Sequence, residues 1–231
     1  MDTINNVAKA RRTCYSLLSP GLHGNNGLDP VTSLHLIKIC VIPTLLYSLE
    51  IVLPSNSHLT VVETFIKKLL KQIFSLPTNT PVHVPYILSG LIPIEGEIHM
   101  KALTFLNSVF LLPEESTEKR IARRQLSIKD VDSASWFIQM KKILIKYYLP
   151  DINQLLDISH KKRKWKTLVY RHVYRYWQDE IINISNYYRF LTYLNPDIYK
   201  AGKIHTLLQI PIISFRQSNR MAIKLKVMSG A

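Results

Sequence analysis

Cysteine is nearly missing from this chain of 231 residues, with Cys14 and Cys40 the only two. They form no Cys-x-x-Cys pair, so neither a zinc ligand set nor a disulfide framework is available. Both lie in apolar helical contexts, which suits core thiols in a reducing compartment. Glycine is scarce as well, at seven residues, three of them crowded into 21–27. Acid is outnumbered, 16 Asp and Glu against 30 Lys and Arg, and nowhere do two aspartates stand together. The adjacent acid pairs are Glu114-Glu115 and Asp179-Glu180. There is no G-x-S-x-G, no phosphate-binding glycine-lysine loop and no H-E-x-x-H. No catalytic residues are assigned on this pattern, and no metal ligands. Long hydrophobic runs are also lacking. The longest apolar stretch, Ile37 to Pro54, is broken by Lys38, Pro43 and Glu50, and a membrane span needs about 20 mostly apolar residues. The opening Met-Asp-Thr-Ile-Asn-Asn has neither a basic nor an apolar region of the kind a secretory signal requires. The expectation is a nuclear or cytoplasmic protein, not secreted and not in a membrane.

What is present argues for a folded helical chain. Hydrophobic residues make up 47% and aromatics 10%, too much for a disordered tail. The fold class predicted is all-α, an irregular multi-helix array with two helical subdomains, 1–127 and 133–231. The formal net charge of +14 and pI near 9.8 favour a polyanionic partner.

Individual helices can be placed. Residues 3–18 read as the first, with Val7 and Cys14 inward and Lys9, Arg11 and Arg12 outward. The turn residues 21–27 lead to Asp29 as N-cap and Pro30 at the first helical position. A helix over 30–53 follows, expected to kink at Pro43, which has no amide hydrogen. Asn56 or Ser57 should cap the next helix, which carries Lys67, Lys68 and Lys71 near its end. Those lysines read either as a solvated C-terminal face or as phosphate contacts. Thr80 is expected to cap a short helix from Pro81 to Gly90, and Pro93 to open another that stops at Pro113. His99 reads as a packed or capping histidine. In the polar stretch that follows, Glu118 should pair with Arg123 or its neighbours. Ser133 or Ser135 should cap a helix to Tyr148, and residues 186–194 and 214–228 read as further helices. On the last of these Arg216, Arg220 and Lys224 share one face.

The most informative stretch runs from His160 to Trp177, with seven basic residues and no acid before Asp179. At about 100° per residue, Trp165, Leu168, Val169, Val173 and Tyr176 form one face. Lys164, Arg171 and Arg175 form a narrow stripe beside it. Tyr170, Tyr174 and Trp177 make a separate aromatic stripe. Spaced cations suit a phosphate backbone, and flat rings offer stacking platforms for bases. The candidate nucleic-acid-binding residues are Lys161, Lys162, Arg163, Lys164, Arg171, Arg175, Lys67, Lys68 and Lys71, with Tyr170, Tyr174 and Trp177 as stacking candidates. The alternative is that the aromatic stripe is buried between helices, leaving only the cations outside.

Several short pieces, taken in order, resemble the region just after the polymerase core of non-LTR (LINE-type) retrotransposon reverse transcriptases. They are Ala8 through Leu18 (AKARRTCYSLL), Gly21-Leu22-His23-Gly24, Asn26-Gly27-Leu28-Asp29-Pro30 and Pro43-Thr44-Leu45-Leu46-Tyr47-Ser48-Leu49-Glu50. Further along come Leu69 to Pro77, Ile92 to His99, Ile121 to Leu126 and Ser135-Trp136-Phe137. The resemblance covers about residues 5–230. It departs at Ser48, where the family form Tyr-Gly-Leu-Glu has glycine.

The resemblance implies a parent enzyme that copies its own RNA at a nicked genomic target. This portion would be thumb and post-thumb, gripping template-primer or element RNA by shape and phosphate. Reverse transcription uses paired carboxylates and two metal ions. The chain lacks the Asp-Asp pair, so no catalysis is expected from it alone; magnesium would belong to the polymerase core, which would also be a partner. The Cys/His segment that follows in the family is not expected within these residues. Rival readings are a protein-interaction module, a membrane-surface module, or a transposon remnant without function.

Overall fold

The computed structural model describes residues 3–23, 27–158, 160–188, 194–210 and 214–229, the side chain of Phe215 excepted. Among them all regular structure is helical. The α-helices are α1 (Thr3–Ser16), α2 (Pro30–Leu36), α3 (Ile42–Leu45), α4 (Asn56–Ile73), α5 (Val84–Ser89) and α6 (Ile94–Phe110). They continue as α7 (Thr117–Ile128), α8 (Trp136–Lys146), α9 (Ile152–Asp157), α10 (Lys162–Asn186) and α11 (Phe215–Met228). The all-α class read from composition and periodicity is therefore what forms.

Two compact units are present. The first comprises Met1–Tyr47, Pro54–Ile94 and Trp177–Ala231; the second comprises Ser48–Leu53 and Glu95–Tyr176. These units do not follow the break at 127–133 that composition suggests. That stretch lies inside the second unit, where α7 packs on α8. Polarity marked an exposed surface there rather than a boundary.

In the first unit the core includes Leu22, Leu34, Ile37, Leu45, Leu46, Ile66, Leu70, Phe74 and Tyr199. Asp29 caps α2 as expected, its Oδ1 accepting from the amides of Val31 and Thr32, each at 3.0 Å. The helix predicted over 30–53 is much shorter. Pro43 cannot donate to the carbonyl four residues back, and the turn ahead of it widens into a π-helix at Ile37–Val41. Helical structure then stops at Leu45. The carbonyls freed there are taken up by the buried amide of Asn6, which donates to Leu45 O at 3.3 Å and Tyr47 O at 2.9 Å. Cys14 is buried and Cys40 only half-buried.

Two cap predictions fail in the same unit. Ser55 is the N-cap of α4, its hydroxyl engaged by the side chains of Ser57 and His58. Helix α5 starts at Val84 after His83, not at Pro81. Thr80 Oγ1 is buried without a hydrogen-bond partner among the described residues, so it caps nothing. Gly90 does end α5, with φ +66°. It also accepts close backbone contact: the Gly202 amide donates to Gly90 O at 2.7 Å, and the His205 amide to Leu88 O at 3.0 Å. A Cβ at Gly90 would sit 2.1 Å from Lys203 O. Tyr199 adds a third bond to this region, its hydroxyl donating to Leu91 O at 2.9 Å. The expected helix over 186–194 does not begin where predicted, because α10 continues to Asn186; residues 189–193 lie outside those described. Residues 24–26 of the glycine-asparagine turn do so too. Helix α11 forms as read, with a capping box between Ser214 and Gln217.

In the second unit Trp165, Tyr147 and Phe110 are fully buried, with Leu103, Leu106, Met140 and Val173 around them. Ser116 caps α7, but Glu118 is not the partner of Arg123. Glu114 is, at 2.8 Å, and it also binds Lys119 at 2.6 Å. The turn that precedes α7 folds Glu114 back over the helix start, a placement that i, i+4 reasoning does not reach. Helix α8 starts at Trp136 after Ser135 and ends at Lys146.

Ser48 takes a left-handed backbone, φ +62°, at the one position where the resembled family's form has glycine. A serine there costs roughly 1 kcal/mol relative to a residue without Cβ. Ser48→Gly is expected to raise stability by roughly 0.5 kcal/mol or more, net of the entropy glycine adds to the unfolded chain. Gly90→Ala should act in the opposite sense and more strongly, because strain and overlap add. Thermal melts of both variants check the pair; equal and small shifts would count against this reading.

Candidate nucleic-acid interface

Helix α10 is where the sequence-predicted residues meet. Its rotation is set by contacts within the second unit. Trp165 is 1% exposed and donates its indole N–H to Leu103 O of α6 at 2.8 Å. Asn107 of α6 donates to His160 O at 3.0 Å, and His160 stacks on Trp165 with centroids 5.8 Å apart. Further along, His172 Nδ1 donates to Tyr147 O at 3.0 Å. With Trp165, Val169 and Val173 buried, the rest of the helix surface follows from the 3.6-residue period. Lys161, Lys162, Arg163, Lys164, Lys166, Arg171 and Arg175 are all exposed. None has an acidic partner among the described residues.

The lysines of α4, in the first unit, are placed differently. Lys67 pairs with Glu63 at 3.4 Å and lies 5.9 Å from the centre of the Tyr86 ring. Glu63 in turn accepts from the Tyr86 hydroxyl at 2.5 Å. Burial, reinforced by that carboxylate, drives the Tyr86 phenol well above its ordinary pKa, so it stays a donor. Lys71 donates to Thr78 O at 2.7 Å, and its pKa is lowered by burial and by Lys67. Lys68 alone of the three is exposed. Lys67 and Lys71 are thus each engaged within the first unit. On α11, Arg216, Arg220 and Lys224 are exposed together on one face.

The aromatic stripe divides. Tyr170 and Tyr174 stack on each other, centroids 3.8 Å apart and planes 23° from parallel. Tyr170 is 47% exposed. Trp177 is half-buried and falls in the first unit. The two tyrosines line a groove of about 530 Å³ in the second unit with Met100, Lys101, Phe105 and Lys166. Glu50 lines it as well, and sequence reasoning assigned it no role. The signal available was faint: a lone acid at the end of an apolar run, and Lys101 and Phe105 at i, i+4 on α6.

Behind α10 a buried polar knot holds the same helix. Tyr147 OH and His99 Nδ1 are 2.8 Å apart, and Tyr147 meets Tyr176 edge to face at 5.2 Å. Lys146 binds Glu95 and lies 5.7 Å and 5.4 Å from the Tyr147 and Tyr176 ring centres. Glu95 also approaches His99 at 3.8 Å, which by itself would favour imidazolium. Burial opposes that, and the Lys146 ammonium already occupies the carboxylate and repels a second cation. The His99 pKa is pushed down to about 3. His99 is thus a packed, neutral histidine. Burial also lowers His83, in the first unit, to about 4.

Among the described residues no group of three or more His, Cys, Asp or Glu is placed to hold a metal ion. No site for magnesium is assigned to this chain. Among them, too, no helix is long and apolar enough to cross a membrane. The class these features define is an all-α protein with an exposed basic helix beside an aromatic groove. Comparison with family models, with curated proteins and with solved structures returned no match.

The histidines imply a pH dependence of definite sign. With a pKa of about 3 folded against about 6.5 unfolded, the unfolded chain binds the extra proton between those values. Stability from His99 is whole above pH 6.5 and lost as pH falls towards 3. His99→Gln should flatten the slope of melting temperature against pH below neutrality. An unchanged slope would show that His99 titrates alike in both states.

Proposed function

We propose that this chain is the thumb and post-thumb portion of a LINE-type reverse transcriptase, and that it holds template-primer or element RNA without catalysing a reaction alone. The observation that carries the binding half of the reading is the row of cations on α10. Lys164, Arg171 and Arg175 lie in line along an exposed face, spread over roughly 16 Å of helix axis at about 1.5 Å per residue. That length equals the axial rise of about five base pairs. Cations so spaced, without carboxylates to neutralise them, can replace counterions along a phosphate backbone. Recognition would then be of shape and charge, with bases contributing little. The family half rests on the ordered run of sequence pieces from Ala8 to Phe137.

Support for a protein-interaction surface or a membrane surface is weaker, because both ask for apolar area where α10 presents charge. Magnesium and the paired aspartates would be supplied by the polymerase core, with which this portion would associate.

The test is fluorescence anisotropy of a labelled RNA–DNA primer-template duplex over a series of salt concentrations. Affinity should fall steeply with salt, and the slope of log K against log salt should drop by about three on replacing Lys164, Arg171 and Arg175 with alanine. Binding that ignores salt, or a triple variant with the wild-type slope, would refute the proposal. Liposome co-sedimentation without duplex binding would favour the membrane-surface alternative.

A further inference from the structure

The first unit carries a basic face that the row on α10 leaves unexplained. From Ile198 to Ala231 the chain has six Lys and Arg and no Asp or Glu. Helix α11 holds four of the six, Arg216, Arg220, Lys224 and Lys226. The capping box of Ser214 and Gln217 sets where the helix starts. Buried Met221 and Leu225 set which face turns inward, and the outward face follows from the helical period. Arg216, Arg220 and Lys224, each four residues from the next, are exposed on it over roughly 12 Å of helix axis. None of the three is paired with an acid among the described residues.

This row works against the helix that bears it. Like charges four residues apart repel. Arg216 also stands in the first turn, at the positive end of the helix dipole, where an acid is favoured. A line of phosphates laid along the row would relieve both strains, and a guanidinium fork takes two phosphate oxygens at once. We propose that α11 is a second phosphate-binding face, in the first unit, and that its ligand is the backbone of a nucleic acid. The choice of ligand rests on the nucleic-acid reading of α10; the face itself rests on α11 alone. The competing occupant is an anionic membrane, because Ile223 and Val227 are 60% and 61% exposed on the same side. A helix that lies in a lipid surface sinks a broad apolar face and keeps its cations at the margins. In α11 the apolar residues Met221 and Leu225 turn into the unit, and the two exposed aliphatics share their face with the cations. That arrangement suits a charged backbone, with Ile223 and Val227 against its sugars.

The experiment measures the salt dependence of binding between the whole chain and a labelled RNA–DNA duplex, on variants that each lose three cations. Replacing Arg216, Arg220 and Lys224 with alanine should lower the slope of log K against log salt by about three. Alanine is a strong helix former, so α11 should persist, and a thermal melt checks it. Arg216→Gln with Arg220→Gln should lower the slope by about two and serves if the triple variant does not fold. Replacing Lys200, Lys203 and Lys226, exposed cations of the same unit outside the row, should leave the slope nearly unchanged. An equal fall for both triple variants would make the row part of a general field and overturn the inference. An unchanged slope for the α11 variant, with that of the α10 variant lowered, would overturn it and leave the α10 grip standing. The reverse pattern would support the α11 face and remove the α10 grip. Co-sedimentation with phosphatidylserine vesicles that is lost in the α11 variant, while its duplex binding matches wild type, would assign the row to a membrane and overturn the proposal.

Discussion

The burial of Trp165 against α6 is the contact on which the exposed surface of the second unit depends. A tryptophan can be hidden only if its indole N–H finds an acceptor, and Leu103 O provides it. That bond settles which way α10 faces. With one face committed inward, helical periodicity dictates that Lys164, Arg171 and Arg175 point outward and that Tyr170 stands at the edge. Truncating a residue of this kind costs about 3–5 kcal/mol in other cores, a large share of the stability of an ordinary domain. The basic face is therefore not an independent feature. It is the far side of a packing decision.

Charge is distributed by the same logic. The few carboxylates are spent where cations approach packed regions: Glu63 on Lys67, Glu95 on Lys146, Glu114 on Lys119 and Arg123. Lys146 and Lys119 in particular are tied down where water is partly excluded, and there an unpaired ammonium would be expensive. On α10 no such neutralisation occurs, and the helix keeps a field strong enough to matter beyond one side chain. A surplus of 14 positive charges is thus not spread evenly. It is concentrated where acid is absent, along residues 160–178 ahead of Asp179 and along α11.

The start of α2 was legible because its chemistry is local. Asp29 with Pro30 satisfies amides within three residues, and no distant group has a say; Ser116 and Ser214 with Gln217 cap by the same local chemistry, which sequence reading did not single out. The basic row on α10 was legible for a related reason: its buried face is marked by tryptophan and valine at helical spacing. Prediction failed where the deciding partner is remote in sequence. The helix expected to reach residue 53 stops at Leu45, where the remote Asn6 takes up the carbonyls of Leu45 and Tyr47. Thr80 looked like a cap, but its hydroxyl is buried and bonds to nothing described. Lys67 and Lys71, which read either as a solvated face or as phosphate contacts, have Glu63 and the Thr78 carbonyl beside them.

What the amino-acid order settled by itself is the helical class, the excess of positive charge and the face of α10 that must be buried, since these depend on composition and on a period of 3.6 residues. Only the tertiary structure decided which cations stay unpaired, that Tyr170 and Tyr174 stack as a platform while Trp177 falls in another unit, and that Glu50 comes to line their groove. Those outcomes require groups from different helices to meet. Pair energies of this kind act through space, and no local pattern encodes them.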